Sequence, residues 1–133
     1  MSSMKIGVPM VNLIFAWIWV LGGFLTGMIM GLKFQDENWL GGYSSEKRRL
    51  YRLGHISFFG LAAINLMFYF TARAIPESGH FLRAASGALI LGGITMPLCC
   101  WLMANYERVQ WLFGIPVTSL IAGAALTIVQ LSI

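Results

Sequence analysis

The sequence predicts an all-α integral membrane protein, a four-transmembrane-helix antiparallel bundle, on three observations. Of its 133 residues 58% are hydrophobic and 11% charged, against about 45–50% and about 25% in ordinary soluble domains. The mean hydropathy is +0.75. The apolar residues also fall into four long blocks, each near the roughly 20 residues a helix needs to cross the hydrocarbon core.

The first block covers about residues 10–32. It is much longer than the ~7–15-residue core of a signal peptide, and no A-x-A cleavage site follows it, so it reads as a retained helix. A polar, basic loop at about 33–53 separates it from the second block, about 54–74. A turn signal at 75–80 leads into the third, about 81–104, where Pro97 removes a backbone donor and predicts a kink. Thr95 is placed to take up a freed carbonyl. The fourth, about 111–131, carries Pro116 in its opening turns, where a missing N–H costs little. Residues 1–133 thus read as a single polytopic membrane domain. The short later connections make successive helices antiparallel neighbours in a compact bundle.

Charge sets the expected orientation. Lys33, Lys47, Arg48, Arg49, Arg52 and Arg108 fall on one side, and Lys5, Arg73 and Arg83 on the other. Cations near helix ends are retained in the cytoplasm, so the 33–53 loop is expected there and both termini outside, in a cell (inner) membrane. Within that loop Lys47, Arg48, Arg49 and Arg52 are assigned to lipid headgroups and topology. Trp39, Tyr43 and Tyr51 suit the interfacial belt, and Ser44 or Ser45 suits a helix cap. Nine cations dispersed over four membrane helices make no continuous phosphate-tracking face, so no nucleic-acid partner is expected.

Association between lipid-solvated helices depends on small residues that let backbones approach. Gly23, Gly27 and Gly31 form such a ridge on the first helix. Ala84, Ala88 and Gly92 form one on the third, and Ser119, Gly123 and Thr127 one on the fourth. These ridges are expected to pack the helices and to leave surfaces for other membrane subunits.

Absences narrow the function. Asp36, Glu37, Glu46, Glu77 and Glu107 all fall at or beyond helix ends, and no Lys or Arg lies mid-membrane. Proton relays and ion pumps mark themselves with such residues, which disfavours the channel or small-transporter alternative. No phosphate loop, carboxylate pair or zinc-ligand spacing occurs. Cys99 and Cys100 are adjacent inside the third block and read as small apolar residues.

Polarity concentrates on the second helix, where Arg48, Tyr51, Arg52, His55, Ala62, Asn65 and Tyr69 share one stripe. Two roles compete for it. In the first, the chain is an accessory or scaffolding subunit of a larger membrane assembly, with an electron-transfer complex the expected kind. Asn65 and Tyr69 then hydrogen-bond between helices, His55 sits hydrated at the headgroup boundary, and no cofactor is needed. In the second, His55 ligates a b-type haem or bonds a quinone, with Tyr51 and Asn65 positioning the ring. His80 falls at the opposite membrane face, on the order of 30 Å away, so a haem held by this chain alone needs a methionine as its other ligand.

Overall fold

A computed structural model describes residues 7–75 and 79–133; Lys5, Glu77 and part of the 75–80 turn signal lie outside the described residues. The chain is all-helical. Its helices are α1 (Met10–Lys33), α2 (Glu46–Ala74), α3 (His80–Asn105) and α4 (Gly114–Ser132). Short 3₁₀ turns at Trp39–Gly41 and Gln110–Phe113 precede α2 and α4. Four helices are each long and apolar enough to cross a bilayer, as in a multi-pass membrane protein. Large apolar side chains accordingly point outward, among them Trp17, Phe24 and Met28 on α1.

The chief departure from the expected boundaries lies in α2. All four cations of the basic cluster, Lys47, Arg48, Arg49 and Arg52, expected in a loop ending near residue 53, belong to the helix. Ser45 caps it by accepting from the Arg48 N–H at 3.1 Å, and from Ser45 to Leu53 no Gly or Pro interrupts good helix formers. At ~1.5 Å per residue the helix is longer than a ~30 Å hydrocarbon core. His80, expected in a loop, is the first residue of α3.

Successive helices pack antiparallel, but the compact bundle does not close. α1, α2 and α3 contact one another, whereas α4 packs on α3 and makes no comparable contact with α1 or α2. The α3–α4 seam is the small-residue interface expected of such ridges. Ser119 donates to the Ala88 carbonyl at 2.7 Å, Gly92 faces Leu120 and the Pro116 carbonyl, and Gly123 faces Leu89. Ala84 is exposed and takes no part in this seam.

The α1 ridge works differently. It is filled by side chains of α2 instead of a neighbouring backbone: a Cβ added at Gly23 would lie 2.7 Å from the Phe59 ring, and one at Gly27 2.9 Å from His55 Cε1. Gly31 meets nothing within 4 Å. Two glycines of this ridge thus pack against α2 within the chain.

Both prolines leave carbonyls that distant side chains take up. Pro97 brings no N–H to the Gly93 carbonyl, which accepts instead from Trp19 Nε1 at 2.9 Å. Thr95, expected to meet a freed carbonyl, bonds Leu91 at 2.7 Å within an intact stretch of helix. Pro116 likewise brings no N–H to the Leu112 carbonyl, which accepts the Cys99 thiol at 3.3 Å. Cys99 and Cys100 are free and buried.

Candidate functional site

The polar stripe of α2 contributes to three arrangements, while Tyr69 accepts from Arg73 of its own helix at 3.0 Å. At one end Asn65 is fully buried with Asn12 of α1. Asn12 Nδ2 donates to Asn65 Oδ1 at 2.8 Å, Asn65 Nδ2 donates to the Leu61 carbonyl at 2.9 Å, and the Ser86 hydroxyl of α3 donates to Asn12 Oδ1. One network thus ties α1, α2 and α3 together inside the apolar region. Asn12 and Ser86 escaped the sequence reading, although an asparagine inside an apolar helix signals a partnered polar group. Asn65 is also removed from any ring beside His55, because ten residues of helix separate them by about 15 Å. A helical wheel shows shared angle and hides axial distance.

Within the first third of α2, His55 and Tyr51 line a cleft of about 480 Å³ between α1, α2 and α3. Its walls include Trp19, Met30, Phe58, Leu98 and Trp101, with Trp39 of the connecting segment at one end. Gly54 also borders it, and its missing side chain lets α2 approach Cys100 and the Pro97 carbonyl. In these mostly apolar surroundings His55 is half-buried, and it is held rather than merely hydrated: its Nδ1 lies 2.9 Å from Thr26 Oγ1.

That contact pairs the ring with a hydroxyl that has other acceptors in reach. The Thr26 hydroxyl has one proton, and its oxygen lies 2.8 Å from the Gly22 carbonyl and 3.1 Å from that of Gly23. A carbonyl only accepts, so when the threonine proton goes to one of them, Nδ1–H of His55 donates to Thr26. In the neutral ring Nε2 then carries a lone pair, ready for a hydroxyl donor or a metal. Tyr51, one turn away, accepts from Asn105 Nδ2 at 3.2 Å, which leaves its own O–H free to donate. The cleft thus offers one acceptor and one donor on adjacent turns.

A haem on this chain alone would need a methionine beside His55. Met30 borders the same cleft, but His80 begins α3 at the far end of the molecule. Among the described residues no group of three or more His, Cys, Asp or Glu side chains converges to hold a metal.

The third arrangement is at the start of α2. Arg48, grouped by the sequence with headgroup-facing cations, is only 3% exposed. The segment between α1 and α2 folds back over it, setting its guanidinium 5.3 Å from the Phe34 ring centroid, 5.4 Å from Trp39 and 5.6 Å from Tyr43. A weakly hydrated, planar guanidinium suits such an aromatic enclosure. Lys47 and Arg52 remain partly exposed and Arg49 fully so.

Comparison with protein families, with curated proteins and with solved structures gives no match to this chain.

Proposed function

We propose that this chain is a membrane subunit that binds a hydroxylated aromatic molecule of the lipid phase, of the quinol class, in the cleft between α1, α2 and α3. The observation that carries this reading is the His55–Thr26 pair at 2.9 Å beside an otherwise apolar cleft; a neutral ring that donates through Nδ1 keeps Nε2 as an acceptor. Such a nitrogen accepts from a quinol hydroxyl, Tyr51 can donate to a second oxygen, and the tryptophan walls suit a flat ring. The accessory-subunit reading is compatible with it: α4 packs mainly on α3, which leaves helix faces open to other subunits.

Trp19, Trp39 and Trp101 border the cleft, so a bound short-chain benzoquinol should quench tryptophan emission saturably in lipid nanodiscs. His55→Leu removes one hydrogen bond, worth about 0.5–1.5 kcal/mol, and should weaken the apparent affinity roughly 2–10-fold. Leu98→Trp should fill the cleft and abolish the saturable phase. Quenching that is linear in quinol, or equal in all three proteins, would refute this reading. The same preparation should show no Soret band; a band lost in His55→Gln would assign the cleft to haem.

The charge asymmetry supports a cytoplasmic segment before α2 and an outer segment before α3. Neither Gly42, at φ +95°, nor Gly79, whose Cβ would strike the Gln130 side chain, is suited to a reporter cysteine. Ser44 and His80 are exposed and serve instead. An impermeant thiol reagent on intact cells should label His80→Cys, and Ser44→Cys only after lysis; the reverse pattern inverts the topology.

A further inference from the structure

Arg48 presents an electrostatic deficit. Its Nε is buried with no hydrogen-bond partner, and what surrounds the charge is aromatic. Cation–π contacts offset only part of the cost of withdrawing a guanidinium from water. Glu46 lies two positions earlier, about 200° around the helix, and so faces away. A second guanidinium compounds the deficit: Arg52, one turn on, sits 4.6 Å from the centroid of the same Tyr43 ring. That ring is 70% exposed. It is therefore a cover over two like charges and no part of a core.

We propose that Arg48 and Arg52, beneath Tyr43, form a discrete site for a phosphate ester anion at the membrane surface. A phosphate offers several acceptor oxygens to two planar forks, satisfies donors that the chain leaves unpaired, and cancels the repulsion between the arginines. The exposed Tyr43 ring can swing aside to admit it, while Phe34 and Trp39 keep Arg48 in place. This is more specific than a diffuse basic surface, because it distinguishes Arg48 and Arg52 from the exposed Arg49. It does not depend on the quinol reading, since none of these three arginines borders that cleft.

The test measures thermal unfolding of the full chain in phosphatidylcholine bicelles as phosphatidic acid is added, at fixed ionic strength. A parallel series adds inorganic phosphate, with chloride as the control. The unmodified protein and Arg49→Gln should show the same saturable rise in midpoint. Arg52→Gln, which leaves Arg48 with Phe34 and Trp39, should require at least about fivefold more phosphatidic acid for half the rise, the loss of one charge-assisted bond. A saturable rise with inorganic phosphate alone, lost in Arg52→Gln, would identify the free anion as sufficient ligand for the same site. Equal weakening in Arg49→Gln and Arg52→Gln would reduce the effect to general surface charge and overturn the proposal. So would the absence of any saturable rise with either ligand.

Discussion

Gly123→Leu should detach α4 while leaving the other three helices packed. A Cβ at this position would lie 2.7 Å from Leu89 Cδ2 and 3.3 Å from the Leu89 backbone nitrogen, so rotating one side chain cannot relieve the whole clash. Because α4 is held mainly by α3, separation of this seam is little compensated elsewhere. Gly92→Leu should act similarly from the opposite side, where the Pro116 carbonyl lies 3.3 Å from the added Cβ. Overpacking of this kind costs about 1–3 kcal/mol, and each variant should lose that much stability in a denaturant titration in mixed micelles. Cross-linking between cysteines placed in α3 and α4 should fall in parallel. Gly31→Leu, which meets nothing within 4 Å, should stay within about 0.5 kcal/mol of the parent. Equal destabilisation at residues 31 and 123 would show that helix propensity, and not the seam, governs the response.

Asn65→Leu should be the most damaging single change among the polar residues. It leaves Asn12 Nδ2 without its acceptor while Asn12 stays buried between helices. An orphaned buried polar group costs about 1–3 kcal/mol, and lipid supplies no water to repair it. Asn12→Leu should cost a similar amount through the Asn65 carbonyl oxygen and the Ser86 hydroxyl that both lose their partner. The double variant should be less destabilised than the two singles together, because neither amide is then stranded. Ser86 can turn its hydroxyl back to a carbonyl of its own helix. Additive losses in this double-mutant cycle would mean that the two amides do not form one unit.

These expectations rest on different levels of information. Four apolar blocks were legible in the sequence because a span of hydrocarbon demands length and composition, which are local properties. The Ser45 cap and the disruptive prolines were legible for the same reason, since each acts on its own turn of backbone. What compensates a proline was not legible. The Gly93 carbonyl is taken by Trp19, 74 positions away, and no local pattern connects them.

The candidate site divides along the same line. The sequence placed His55, Tyr51 and Asn65 on one face of a helix, because 100° per residue fixes angle. Only the tertiary structure placed Asn65 with Asn12 and left His55 and Tyr51 at the cleft, since partners come from other helices. It likewise buried Arg48 beneath a folded-back segment, where charge counting had grouped it with its exposed neighbours. By itself the sequence determined what must leave water, through composition and spacing. Tertiary structure decided which polar groups meet once they have left it, because in a low-dielectric interior each donor must find an acceptor across the chain.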